Sequence, residues 1–483
     1  MRESGFMIIT GFSAPRALVF AAGLGVAGLG LPAAAAPVAG FAMTSYVLLG
    51  VDGARIARVI TPEAACPSVI ADGRPLAMTS RAHAETIPQR ATISAVTDSK
   101  PSVFDGRVCE AVLPASVKTA SVGGRNLPLP PMVIRRIVVI GDTGCRIKIL
   151  DKASQDCNDP RAYPFAQVAA SAARWKPELV VHVGDFLYRE NACAPGNAGC
   201  AGTPWGYGAD AWRADFFGPA APLLTAAPLA LARGNHESCV RAGQGWWRYL
   251  DPQAYVPGRD CNEAVHDVVG DFTDPYAVPL GDHAQLIFFD SSDAPSKPLA
   301  EDDIRAARYR DAYAKIAALT AGAPHSILVN HHPVFGFAAK ADKATGQPTL
   351  SPGNAGLQSV FGAMGPRYLP AGIDLSLAGH IHVWEALSFS SDHPAQIIAG
   401  FSGTQEDIVP LPATLPADAT PAKGAVVKAF SSWVDGFGFM TMERRGDDAW
   451  DVEVHDVAGA VVNRCRIRGR DVVCDLAQVP SRH

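Results

Sequence analysis

No cysteine in this chain stands in a CxxC pair, which argues against a zinc knuckle or a dithiol redox centre. Positive charge is not in excess: 42 Lys and Arg face 47 Asp and Glu, a formal net charge of −5. Nucleic-acid binding through bulk charge is therefore not expected. There is no long low-complexity tract, and past residue 36 no apolar run is long enough to span a bilayer. The leader lacks a twin-arginine pair.

The 483 residues, 48% of them hydrophobic, allow a large core and more than one domain. Arg2 and Arg16 flank a short leader, and residues 17–35 are apolar and small up to Ala36. This pattern reads as a signal peptide over 1–36, with export to the periplasm or secretion and no stable membrane anchor after its removal. The 10 cysteines fit that context and fall into neighbouring couples. Local disulfides are expected, with Cys66 and Cys109, Cys193 and Cys200, and Cys465 and Cys474 as partners.

Residues 37–131 alternate short strand-like runs with Pro, Gly and Ser, and read as a small β-rich domain ending in the stiff LPLPP linker. No catalytic pattern lies there; it reads as a packing module or a ligand-binding one. From 132 the pattern changes. Apolar strands at 133–140, 179–183, 228–232, 285–289, 326–330 and 373–378 alternate with helical stretches at 163–175, 209–226 and 299–320. Uninterrupted apolar strands between helices mean an α/β fold with its sheets buried between helical layers. Runs from 395 onward are expected to close a second sheet. The catalytic domain is assigned to 132–445, and 446–483 to a C-terminal β extension with a hairpin near its end.

Five turns follow apolar strands: 141–144 (GDTG), 184–188 (GDFLY), 234–237 (GNHE), 330–333 (NHHP) and 379–382 (GHIH). Each offers Asp, Asn, His or Tyr as a metal ligand. Any one of them alone is a common helix cap or loop. Five in order, all at strand ends, point to one rim where ligands bind. The donors are hard oxygens and imidazoles without thiolate, which suits iron, manganese or zinc. With so many ligands a two-metal centre is the economical reading, one carboxylate bridging both ions.

These ordered blocks resemble the calcineurin-like metallophosphoesterase superfamily, and more narrowly the purple acid phosphatases. The narrower resemblance rests on Gly144, where most of the superfamily has histidine, and on Tyr188, three residues after Asp185. It covers residues 133–443 in pattern and implies a four-layer α/β/β/α sandwich. It implies that Asp142, Asp185, Tyr188 and His382 hold Fe(III), and that Asp185 bridges to a divalent Fe, Zn or Mn held by Asn235, His380 and a histidine of the HHP turn. The family's His-x-Pro pattern selects His331 over His332, which would then contact substrate or support the ligands. Leu328 departs from the family's usual valine.

The resemblance further implies hydrolysis of small-molecule phosphate monoesters, with metal-bound hydroxide as nucleophile and His236 as the catalytic histidine that protonates the leaving group or neutralises the transition state. Glu237 is expected to orient that imidazole. Arg233 and Arg241 are candidates for phosphate contact or for solvated side chains. Trp246, Trp247 and His182 read as core, and Asp290 receives no metal role. The loop 189–208 at the rim is the expected source of substrate choice. A phosphodiesterase or nucleotidase would use the same ligands, and a non-catalytic metal-containing binding protein is the reading from another class.

Overall fold

The computed structural model describes residues 43–480 apart from 282, 343–347, 406–408, 410, 413–414 and 417–418. The leader at 1–36 lies outside the described residues. Two large sheets dominate. The first has eleven strands, with Arg136–Ile140, Leu179–His182 and Leu229–Leu231 parallel at its centre. The second has seven, in which Ala284–Phe288, His325–Val329, Ile373–Ala378 and Ala395–Ala399 run parallel.

Strand side chains alternate between faces, and both faces of these strands are apolar. Val138 and Ile140 pack against Val168 and Ala172 of the helix Phe165–Arg174. Their neighbours Ile137 and Val139 meet Leu286, Val329 and Leu377 of the second sheet. In the second sheet, Ile287 and Leu328 point the other way, onto Tyr309 and Ile316 of the helix Ile304–Leu319 and Phe361 of the helix Ala355–Met364. The order is helix, sheet, sheet, helix: the expected four-layer sandwich.

The C-terminal strands depart from expectation. Only Ala395–Ala399, Trp384–Phe389 and Val427–Trp433 join the second sheet. Gly438–Arg444 instead pairs antiparallel with Arg136–Ile140, and Ala449–Asp456, Val461–Arg468 and Asp471–Cys474 continue outward from it. Met440, Met442, Val452 and Val454 thereby enter the core between the sheets. Strand periodicity shows that these segments pair, but not which edge receives them.

At the opposite edge, Leu48 of the strand Thr44–Leu49 pairs with Leu229 in parallel. Arg55–Thr61, Arg107–Leu113 and Thr79–Ala82 then extend the same sheet. Val47, Val59, Val69 and Val122 form a separate small core there. All five neighbouring cysteine couples are bonded: Cys66–Cys109, Cys145–Cys157, Cys193–Cys200, Cys239–Cys261 and Cys465–Cys474. No described helix is long and apolar enough to cross a membrane.

Candidate metal centre

The five turns meet at the ends of the parallel strands of both sheets. Backbone bonds stitch them together: Asp142 N–H donates to Gly184 O at 3.0 Å, Thr143 N–H to Asp185 O at 3.0 Å, and Gly379 N–H to His331 O at 3.0 Å. Asp142, Asp185 and His380 have φ of 53°, 60° and 71°. That left-handed region is uncommon for residues other than glycine and concentrates at functional sites. Here it turns each side chain sharply off its strand. Gly379 is needed for close approach, because a Cβ there would lie 2.4 Å from Asp142 Oδ2.

Two sets of donor atoms share one carboxylate. Tyr188 Oη lies 2.9 Å from Asp142 Oδ1, 2.7 Å from Asp185 Oδ2 and 3.0 Å from His382 Nε2. On the other side, His331 Nε2 is 3.1 Å from Asp185 Oδ2 and 3.0 Å from Asn235 Oδ1, which is itself 3.0 Å from His380 Nδ1. Ligand atoms of Asp185, His331 and His380 all lie within 4.8 Å of one another. Two histidines have their tautomers set by main-chain carbonyls. His382 Nδ1–H donates to Gln405 O at 2.9 Å, and His331 Nδ1–H to Val183 O at 3.0 Å. Each then turns Nε2 toward the cluster.

The donor set fits cations. A phenol carries one proton, yet Tyr188 Oη has three acceptor atoms within 3.0 Å. At most one of these contacts is a donated hydrogen bond, and the rest set lone pairs against each other. Burial, then Asp142 and Asp185, push the Tyr188 phenol upward. Burial likewise raises Asp142, His331 opposing and Asp185 adding to the rise. Asp185 is held low by His331 and His236 against its burial. Positive charge bound among these groups would relieve both the repulsion and the desolvation.

The structure brings Asp142, Asp185, Tyr188, Asn235, His331, His380 and His382 into this one cluster and sets His236 on its edge. The His236 ring lies over Tyr188 with centroids 3.7 Å apart, and its backbone N–H donates to Asp185 Oδ1 at 2.8 Å. Burial, then Arg241, lower its imidazole to about 4. His332 packs with its ring 4.2 Å from that of His380, and its Nδ1 is buried without a partner. Gly144 is explained as well. A Cβ there would meet Tyr188 N at 2.7 Å and Asp215 Oδ2 at 2.8 Å, so a histidine cannot stand opposite Tyr188 in this backbone.

Three expectations need correction. Glu237 does not reach the His236 imidazole. Its carboxylate accepts the N–H groups of Asp185, Phe186, Leu187 and Gly234 at 2.8 to 3.2 Å, and so shapes the GDFLY turn. The carboxylate at the imidazole is Glu190, with Oε1 3.0 Å from His236 Nδ1. Arg233 and Arg241 are neither solvated nor open to phosphate. Arg233 is buried on Glu237 O, Gly270 O and the Asp271 and Asp290 carboxylates, and Arg241 on Glu190. Asp215 was also missed. It accepts the N–H groups of Cys145, Tyr188 and Arg189, tying the first two turns together. Trp246, Trp247 and His182 are core residues.

The sequence model of the family described as calcineurin-like phosphoesterase matches residues 135–384, more than half of the chain and all five turns. No curated protein matches the sequence. Among solved structures, the fold is similar to a purple acid phosphatase from seeds of yellow lupin (Lupinus luteus). That likeness has 13% identity and a TM-score of 0.50, and covers 87% of this chain and 73% of that one. Two further similar structures are PhoD (10% identity, TM-score 0.48, 90% and 91% covered) and GAP50, the anchor in the inner membrane complex of Plasmodium (12%, 0.38, 70% and 90%). At 13% identity the likeness to the lupin structure speaks for the fold alone.

Proposed function

The chain belongs to the calcineurin-like phosphoesterase family, metal-dependent phosphoester hydrolases, and from that premise we propose that it is an acid phosphatase-like enzyme acting on small-molecule phosphate monoesters. Its centre would hold Fe(III) on Asp142, Asp185, Tyr188 and His382, and a divalent Fe, Zn or Mn on Asp185, Asn235, His331 and His380. One observation carries this reading: Asp185 Oδ2 stands 2.7 Å from the Tyr188 phenol and 3.1 Å from His331 Nε2, between two complete donor sets. The chemistry that a cation pair supplies when bound there is Lewis-acid activation of water and neutralisation of phosphate charge. Tyr188, a hard and electron-rich donor, favours the ferric state. His236 turns Nε2 to the centre, 3.9 Å from Asp185 Oδ2, where a proton can pass to a departing alkoxide. In this reading 132–445 is the catalytic domain, 446–483 its β extension and 37–131 a small β-rich domain. The five disulfides accord with a periplasmic or secreted protein.

Metal analysis of the purified protein, with visible absorption and rates on aryl monoester and diester substrates, tests it. The expected result is iron with a second metal, a visible tyrosinate-to-iron band that Tyr188→Phe abolishes, and faster turnover of monoester. A colourless zinc-only protein would remove the iron assignment, and preference for the diester would remove the monoester one.

A further inference from the structure

We infer that the N-terminal region completes the substrate-binding surface: Ile93, with Val240, Val265, Val268 and Val269, forms an apolar shelf beside the metal centre for the alkyl part of a phosphate monoester; this rests on the proposed phosphatase reading. These five side chains are 38 to 73% exposed. Exposed aliphatic groups are ordinarily scattered singly, and a contiguous set marks a binding surface. Here they come from three segments held together. Ile93 N–H donates to Val240 O at 2.9 Å. A Cβ on Gly270, next after Val269, would lie 2.7 Å from Sγ of Cys239, just before Val240. Arg90 Nη1 donates to Cys261 O at 2.6 Å and to Asp267 Oδ1 at 2.8 Å, and Cys261 is bonded to Cys239. Val265, Val268 and Val269 stand at i, i+3 and i+4 across the helical turns Ala264–His266 and Asp267–Gly270, so they share one face.

The shelf begins at the centre itself. Val240 belongs to a tight loop closed by Ala242 N–H on His236 O at 3.0 Å, and the next residue, Arg241, reaches both Asn235 O and the His236 ring. Asn235 and His380 are the least buried of the seven candidate ligands, so a phosphate reaches the centre beside them, on the side where this loop stands. An ester with its phosphate there must send its alcohol part outward, and an apolar alcohol gains by covering aliphatic side chains. Arg90 and Asp267 are spent on each other and offer no free charge to a polar alcohol. The N-terminal segment is also held from its other side. Asn191 Nδ2 donates to Ser94 Oγ at 2.9 Å and to Asp98 O at 3.0 Å, so Ile93 is fixed between the loop at 189–208 and the chain at 238–270. A module that served only for packing would bury Ile93 rather than present it. The competing occupant of such a face is a second copy of the chain.

Rates on ethyl, butyl and hexyl phosphate test this on the full-length protein with its metals bound. The three esters share one leaving-group chemistry, so a change along the series reads contact alone. kcat/KM should rise about 2-fold per methylene, half the free energy of full burial, and so on the order of 10-fold from ethyl to hexyl. Ile93→Ser and Val240→Ser should each lower that hexyl-to-ethyl ratio. Val473→Ser, an equally exposed position on the strand Asp471–Cys474 at the opposite edge of the first sheet, should not. Calorimetry with ethylphosphonate and hexylphosphonate reads the same contact without turnover. A flat series in the wild type, or a rising one that Ile93→Ser leaves intact, overturns the inference and leaves the phosphatase reading standing. A dimer in sedimentation that Val265→Ser dissociates does the same, because a second copy would then cover the face. A wild type that hydrolyses no ester, yet binds hexylphosphonate more tightly than ethylphosphonate until Ile93→Ser removes the difference, upholds the shelf and overturns the phosphatase reading instead.

Discussion

Adjacent histidines of the HHP turn have opposite surroundings. His331 spends Nδ1–H on Val183 O and brings Nε2 to Asp185 and Asn235. His332 points beside His380, with Nδ1 buried and unpartnered. His331→Ala should therefore lose the divalent ion while His332→Ala keeps it, as read by metal analysis of both proteins after identical loading. Loss of the ion from His332→Ala alone would exchange their roles. That the donors of the five turns share one cluster was legible in the sequence because each sits within a few positions of a strand end. Glu190 and Asp215 were not, because they act across the fold on groups far from them in sequence. Glu237 was misread for a related reason: adjacency to His236 in sequence does not aim two side chains at one another within a helical turn. Its carboxylate instead serves the backbone of a different turn.

At the scale of elements, the central strands could be read directly, since strands buried on both faces are continuous apolar runs. The pairing of the outer strands could not, since any free edge offers the same backbone groups. The strand Trp384–Phe389, next after the GHIH turn, carries a buried carboxyl group of its own. Glu385 accepts from Phe337 N–H at 3.0 Å, and burial raises its carboxyl to about 8, the single hydrogen bond opposing. Between the ordinary glutamate value and 8 the folded chain binds a proton that the unfolded chain does not. This contribution to stability is complete below the unfolded pKa and declines as pH rises toward the folded one, by at most about 1.4 kcal/mol per pH unit. Glu385→Gln keeps the acceptor and removes the proton, so urea unfolding at a series of pH values from 5 to 8 should show the variant gaining on the wild type as pH rises. A difference that stays constant over that range would mean that Glu385 is not protonated in the folded protein.

Across the whole molecule, the β-rich N-terminal region and the metal-bearing turns are joined by more than a shared sheet edge. Ile93 N–H donates to Val240 O, and Asn191, next to Glu190, donates to Ser94 Oγ and Asp98 O. Deeper in, Arg81 is fully buried and bonds Trp247 O, Gln253 O and Glu110, with Asp251 at 3.6 Å. Trp247 lies in the segment Trp246–Leu250 that follows the GNHE turn, so this cation holds the N-terminal strands to the chain behind the metal centre. Asp251 depends on it: both its carboxylate oxygens are buried without a hydrogen bond, and burial raises it to about 6 against the pull of Arg81 and Arg58. Arg81→Ala would leave an uncompensated buried carboxylate and orphaned carbonyls, a loss of about 3–5 kcal/mol. Urea unfolding followed by tryptophan emission should show that loss even though the substitution lies in the N-terminal region, because Trp246 and Trp247 lie in the stretch that matches the family model and are both buried. An unchanged tryptophan transition in Arg81→Ala would mean that the two regions unfold independently, and that the strand pairing of Leu48 with Leu229 contributes little to holding the centre together.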